Sequence, residues 1–542
     1  MKNKLLSIIV LVAVVFSLIP LHTVNVRADE AAEEFPATFD LRNVDTDGDG
    51  VGDSCYITPV RSQAPFGTCW SFAAIASAES SLLASGQAQA QGYDAQTLNL
   101  SEKQLAWFSV KALDDPASPQ NGEGYLYSKN LSVYEVFNHG GNMEVASSVL
   151  AQGIGISYEL VKNEAGELVY NGEFAYRGSD EKTEKALVNG QWENRSYSAS
   201  DDWSLPESDR FVRNFTLKES RILPAPAEHR EAQYYYYNPE GTAAIKRELM
   251  EHRAVFAAFC ADTRMPGQDS QAKYLSDNWA HYTWTPADIS NHAVAIVGWD
   301  DNYPKENFRQ GTGSYRILDG TNFEVDLAPP ENGAWLVKNS WGSAENVFPD
   351  KGRGNWGIVN EEGENTGYFW LSYYDKTLDS VGTFIFDETC AGSDYVIDQY
   401  DYLPASFNVD SRTKDEVKTA NIFKASNCQV LEQVSCVTVV EDTEVKYEVY
   451  LMAKDNIDKP EDGLKVAEKT VTYPYKGFHR ERINDVLLQK GQYYSIIVTQ
   501  KTKDNDYVIS QVVETAPDEG IANLFDYKVI VNNYESMVYK DG

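Results

Sequence analysis

The segment TCWSFAAIASAESSLLASG, Thr68 to Gly86, is Ala-rich, lacks proline and ends at a glycine. That pattern predicts a buried helix. Thr68 is placed to cap that helix and Cys69 to open its first turn, where amide donors and the helix dipole favour an anion and lower a thiol pKa. A free cysteine is also among the most buried residue types. The segment alone leaves a nucleophile and a packed thiol both open.

The chain has 542 residues, 12% aromatic and 42% hydrophobic, enough for several cores. Lys2 and Lys4, the apolar run Leu5 to Ile19 and Val26-Arg27-Ala28 have the order of a secretory signal cleaved near Ala28. The run is short for a bilayer span and stops at Pro20, and no second span follows, so a secreted, extracellular bacterial protein with no membrane span in the mature chain is expected. A net charge of −34 argues against a nucleic-acid partner and against docking on anionic lipid. Six cysteines, Cys55, Cys69, Cys260, Cys390, Cys428 and Cys436, are too few for a disulfide framework, and their spacing assigns no pairs.

LSEKQLAWFSV predicts a second helix with Ser101 and Gln104 as a capping box. NPEGTAAIKRELMEHR predicts a third, entered through Asn238-Pro239 and followed by the strand AVFAAFCA. HAVAIVGW and GAWLVKNSW read as further short strands. Residues of about 160–230 are polar and turn-rich, a surface insertion holding a hairpin or two. Tyr234 to Tyr237, four consecutive tyrosines, are expected to pack against the domain. Past Cys390 the helix signals disappear. VKYEVYLMA, KVAEKTVTY, QYYSIIVTQ and YVISQVVET alternate apolar and polar residues between turn clusters, which predicts an all-β sandwich with a boundary near Ala391-Gly392-Ser393.

PATFDLR, ITPVRSQ, GTCWSF, LSEKQL, HGGNMEVA, SNHAVAIVGW and VKNSWG follow one another in the order found in papain-like cysteine peptidases. From about Phe35 to Asp375 the chain resembles that family. The remainder resembles the lectin-like domain that accompanies some of its secreted bacterial members. The resemblance implies an α+β fold: a two-lobed papain-like domain, helical lobe and antiparallel β lobe with a groove between them, followed by the sandwich. The expected division is 1–28 signal, 29–391 peptidase domain, 392–542 lectin-like domain.

The same resemblance implies the site. Cys69 would be the nucleophile, His292 its ion-pair partner and acid, Asn339 the group orienting the imidazole, and Trp341 the cover over that hydrogen bond at the edge of the substrate site. Gln63 and the Cys69 N–H would stabilise the oxyanion. Gly140 and Gly141 would bind an extended peptide by strand addition. His139, His229, His252, His281 and His479 are read as structural. The implied activity is peptide-bond hydrolysis on a protein or peptide substrate, with a carbohydrate or cell-surface ligand for the C-terminal domain. A non-catalytic adhesin and a Cys-His acyl transferase are the alternatives.

The chain departs from the family at several points. Phe66 stands three residues before Cys69, where many relatives carry a disulfide-forming cysteine. The stretches from Cys69 to His292 and to Asn339 are longer than usual, mostly through the polar insertion. Only DEAAEE separates the expected signal cleavage from FPATFD, so no inhibitory propeptide is expected. Finally, DTDGDGVGD sets Asp45, Asp47, Asp49 and Asp53 around Gly50 in a calcium-loop pattern, although Tyr56 replaces the glutamate of an EF-hand. A structural Ca²⁺ ordering the loop before Cys69 is the expectation. No cofactor is expected for catalysis.

Overall fold

The computed structural model describes residues 34–126, 137–138, 140–176, 184–188, 191–195, 204–231, 234–262, 273–317, 320–344, 356–387, 395–403, 407–410, 416–453, 457–502, 510–513, 526–530 and 532–539. The leader at 1–28, His139, Cys390, the boundary expected at 391–393 and residues 177–183, 189–190 and 196–203 of the polar insertion lie outside the described residues.

Helix α1, Cys69–Ala84, is buried at every position from Cys69 to Leu83. Its small residues let neighbouring backbone approach, and its serines find partners there. Ser77 Oγ donates to the Ala254 carbonyl at 2.8 Å, and Ser80 Oγ accepts from the Ala254 amide at 2.9 Å. Helix α2, Glu102–Ser109, is capped by Ser101, whose Oγ accepts from the Gln104 amide. The reciprocal half of the expected capping box does not form. Gln104 instead donates to the Asp209 and Val212 carbonyls and accepts from the Ser157 amide, so it ties the helix to a distant segment. Helices α3, Met143–Ala151, and α4, Pro239–Met250, are capped by Asn142 and Asn238.

Strands outnumber helices. β1 (Thr38–Asp40), β2 (Thr216–Ile222), β3 (Val255–Phe259), β4 (Ala280–His281), β5 (His292–Asp300), β6 (Ala334–Lys338), β7 (Tyr368–Ser372) and β8 (Asp379–Asp387) precede the C-terminal region. There β9 (Val417–Lys424), β10 (Gln429–Thr438), β11 (Thr443–Met452), β12 (Gly463–Tyr473), β13 (Gly477–Leu488), β14 (Tyr493–Thr502) and β15 (Ser536–Val538) follow. One large sheet runs β4-β7-β6-β5-β3-β8-β2-β13-β10, with β1 also paired to β5. A second, five-stranded sheet runs β12-β11-β14-β9-β15.

Three expectations change here. The expected insertion runs too far, because Thr216–Ile222 is a strand inside the large sheet, paired to β8 and β13. Its lysine, glutamate and arginine disguise it, since Glu219 and Arg221 are satisfied by ion pairs and not by solvent. The C-terminal region has two strand layers, but one of them, β13-β10, continues the sheet of the preceding domain. In the tyrosine run, Tyr235 and Tyr237 pack on a buried core cluster while Tyr234 and Tyr236 are exposed, an alternation set by the strand they form. Among the described residues Cys55, Cys69, Cys260, Cys428 and Cys436 are free thiols, and no helix is long and apolar enough to cross a membrane.

Candidate active site

The loop before α1 is held without a disulfide. Gln63 donates its backbone N–H to the Ser340 carbonyl at 2.8 Å, and its own carbonyl accepts from the Phe66 amide and the Tyr176 hydroxyl. The Phe66 ring, 2% exposed, stands edge-on to Phe137 and Tyr176. Gly67 leaves room for nothing more, since a Cβ there would meet Asn138 Oδ1 at 2.9 Å. Aromatic packing thus occupies the place of the missing staple. Thr68 sits at the cap position of α1 but does not cap it. Its hydroxyl pairs with Tyr176 at 2.8 Å instead, adding a further tie on the loop.

Cys69 is buried, and the amides of Ala293, Trp70 and Cys69 itself point at its sulfur. Ala293 follows His292 directly, so the first residues of α1 and β5 meet at this thiol. The His292 Nε2 lies 2.7 Å from Asn339 Oδ1. Because that oxygen can only accept, Nε2 carries the hydrogen and Nδ1 is left for another partner. Asn339 is fixed in turn. Its Oδ1 also accepts from the Ser340 amide, and its own N–H donates to the Gly367 carbonyl. The Trp341 ring lies over the imidazole at 4.6 Å and packs on Trp356.

Burial dominates the electrostatics. It pushes the Cys69 thiol up, against the three amides, so the lowering expected from the helix terminus is outweighed in the neutral pair. Burial also holds His292 down to about 4, although Asn339 works the other way. Each charge alone is unfavourable, whereas a proton passed from sulfur to imidazole creates both together. Removing the thiol should expose this asymmetry. In Cys69→Ala the folded protein is expected to keep His292 neutral down to about pH 4, while the unfolded chain protonates it near 6.5. The variant should therefore lose stability as pH falls through that window, by about 3 kcal/mol at the low end. Histidine-ring NMR together with unfolding at several pH values checks this.

The Gln63 side chain is fixed at both ends. Oε1 accepts from Ser340 Oγ at 2.7 Å, and Nε2 donates one hydrogen to the Phe66 carbonyl at 3.0 Å. Among the described residues its other N–H has no partner. Ser340 was not singled out from the sequence, although it lies between Asn339 and Trp341. Gly141 backs onto the Trp70 ring, which a Cβ would meet at 2.6 Å, and Gly140 has φ +85° with open space beside it. The paired glycines therefore pass directly over the residue after Cys69.

Behind these groups lies an ion cluster that the sequence did not announce. Arg61, two residues before Gln63, pairs with Glu79 of α1 at 2.6 Å and with Glu102 of α2 at 2.9 Å. Lys338, next to Asn339, donates to Thr58 Oγ1, which donates to Glu79. Burial raises Glu102 to about 7 and lowers Lys338 to about 8. The cluster links the segments that carry Gln63, Cys69 and Asn339.

The acidic loop brings together three of its four expected ligands. One carboxylate oxygen each from Asp45, Asp47 and Asp49 lies within 4.8 Å of the others. Asp53 is not one of this group and accepts from the Thr46 hydroxyl at 2.8 Å. The loop is pinched shut by backbone bonds between Val44 and Ser54.

Comparison with known proteins agrees with this architecture. Residues 397–542 match the family described as Lectin like domain. Over most of its length the chain is similar to two solved structures of the clostridial cysteine protease Cwp84. One is a Cys-to-Ala variant after propeptide cleavage, with a TM-score of 0.55, 21% identity, and 90% of this chain and 91% of that one covered. The chain shares the fold of a cysteine protease joined to a lectin-like domain. The other structure comprises the cysteine protease and lectin-like domains of Cwp84, described as a surface layer associated protein of Clostridium difficile. It matches with a TM-score of 0.55 and 21% identity over 89% of this chain and 81% of that one. No curated protein matches the sequence. The papain-type resemblance with a C-terminal lectin-like domain is thus borne out.

Proposed function

We propose that the protein is a secreted cysteine endopeptidase acting through Cys69, His292 and Asn339. The observation that carries this reading is the 2.7 Å bond from His292 to Asn339, made beside the thiol at which the Ala293 amide points. The Cys69 sulfur attacks the scissile carbonyl, and the negative charge formed on its oxygen is met by the Cys69 amide and the remaining Gln63 N–H. The His292 Nδ1–H protonates the leaving amine, the carbon–nitrogen bond breaks, and a thioester remains on Cys69. His292 then takes a proton from water, whose oxygen attacks the thioester and releases the acid. Asn339 keeps the ring aligned throughout, and Trp341 shields that bond from water.

The substrate backbone would pair with the segment at Gly140 and Gly141. A two-lobed domain is supported by the separation of its buried residues. Cys69, Trp70 and Ala293 belong to one hydrophobic cluster with the helices α2 and α3, while Val294 to Val297 belong to another made largely of strands. The lectin-like domain would hold the enzyme to a surface carbohydrate. Labelling with a thiol-directed epoxide and mass spectrometry of digested peptides test the reading. An unreactive Cys69 would favour an adhesin, and cross-linked products an acyl transferase.

The acidic loop fits a calcium ion held by Asp45, Asp47 and Asp49, because their oxygens already converge and Gly48 and Gly50, at φ +81° and +87°, permit the tight turn. Asp53 would be a fourth ligand only after leaving Thr46. Bound Ca²⁺ would neutralise the clustered carboxylates and rigidify the segment that leads to Gln63. Chelation is expected to lower the melting temperature by several degrees at a few kcal/mol of linked stability. An unchanged melting temperature after chelation rules the ion out.

A further inference from the structure

The two donors assigned to the oxyanion, the Gln63 side chain and the Cys69 amide, stand at opposite ends of one loop. Two such donors act together only when both reach the same oxygen, so the spacing of the loop ends matters as much as the donors. One side chain touches both ends. The Tyr176 hydroxyl donates to the Gln63 carbonyl at 2.5 Å and lies 2.8 Å from Oγ1 of Thr68, the residue before Cys69. A carbonyl can only accept, so the tyrosine hydrogen is committed to Gln63 and Thr68 donates to the tyrosine oxygen. The ring closes on the same span. It stands edge-on to Phe66 in the loop at 6.4 Å and to Phe72 on the first turn of α1 at 4.8 Å.

Tyr176 belongs to the polar insertion and is itself anchored. Its amide donates to Glu159 Oε1 at 3.0 Å. Just before it, the Phe174 carbonyl accepts from Ser101 Oγ and the Glu173 carbonyl from Lys103 Nζ, each at 2.6 Å, at the start of α2. The Ser340 carbonyl and hydroxyl support Gln63 from the segment beyond β6. Ser340 thus ties Gln63 to the strands, while Tyr176 ties it to the helix that carries Cys69. The ring alone would be enough to pack the loop. The hydroxyl adds something different, a fixed distance between Gln63 and Thr68.

We infer that Tyr176 is a positioning residue for the reaction, setting the spacing of the two oxyanion donors and acting through Gln63. The inference rests on the peptidase reading and adds to it a residue of the insertion.

The test compares the full chain with Tyr176→Phe, Gln63→Ala, the double variant and Thr68→Val on one fluorogenic peptide. Phenylalanine keeps the ring, and the Gln63 carbonyl keeps the Phe66 amide at 3.1 Å, so the fold should hold; melting temperature checks it. Formation and breakdown of the thioester both pass through an oxyanion. In Tyr176→Phe, kcat and kcat/KM should therefore fall together by about tenfold, with KM within about twofold of the wild type. Alkylation of Cys69 by iodoacetamide forms no oxyanion and should keep its rate. In the Gln63→Ala background, Tyr176→Phe should cost less than about twofold, because the donor it places is gone. Thr68→Val cuts the clamp at its other end and should lower kcat by about threefold or more, which gives the same reading should Tyr176→Phe fail to fold. A kcat unmoved by removal of either hydroxyl, full additivity with Gln63→Ala, or an alkylation rate that falls in parallel overturns this inference and leaves the peptidase standing. A wild type that cleaves nothing overturns the peptidase reading and this inference with it.

Discussion

Cys69→Ala is expected to lower kcat/KM by at least roughly 10⁴-fold while leaving the fold intact. The thiol has no substitute in the mechanism, because the nucleophile and half of the ion pair disappear together. His292→Ala should cost about as much, since groups that act as one unit are not additive. The double variant should then be little worse than either single one. Single-turnover kinetics with a fluorogenic peptide, paired with epoxide labelling, measures both effects. Alanine at position 69 fits the buried helix, so residual structure is not in question. A Cys69→Ala protein that still cleaved peptides would place the chemistry elsewhere.

Gly477→Val is expected to give the largest loss of stability of any single change considered, at least about 4 kcal/mol. Gly477 opens β13 at φ +139°, and a Cβ there would sit 1.9 Å from the Ser220 carbonyl oxygen of β2. That is backbone against backbone across the seam between the domains. The seam holds a bond from the Ile222 amide to the Lys476 carbonyl, one from the Phe478 amide to Ser220 Oγ, and the His479–Glu219 pair at 3.3 Å. Although burial works against it, Glu219 is held down to about 2 by His479 and Arg221. Valine would pry this edge open, and denaturant unfolding should split into two transitions as the domains lose their common sheet. Gly491→Ala is the control. Its φ is +81° but it faces open space, so only about 1 kcal/mol of backbone strain is expected. Equal losses from the two substitutions would show that the seam carries little.

Much of the site is legible in the sequence because its parts are local. Cys69 lies at the start of an apolar, small-residue helix, His292 at the start of a β-branched strand and Asn339 just beyond another; short-range periodicity marks those elements, and the resemblance of their segments to papain-like peptidases singles out the three residues. Short-range patterns fail where the partner is remote. Thr68 looks like a cap until Tyr176 is seen to take its hydroxyl, and Gln104 looks like half of a capping box until the Asp209 and Val212 carbonyls claim it. The thiol was expected to be acidified by its helix, but the burial that the same helix imposes counts for more.

The sequence by itself determined the buried helix and the switch to two-residue alternation in the C-terminal part, because each follows from side chains within a few positions of one another, and the order of its motifs carried the resemblance that named the candidate site. Tertiary structure alone decided that the polar strand Thr216–Ile222 joins two domains into one sheet, and that Ser340 aims Gln63. Each of those depends on groups far apart in the chain. A charged residue reads as surface until the structure supplies, or withholds, the partner that burial demands.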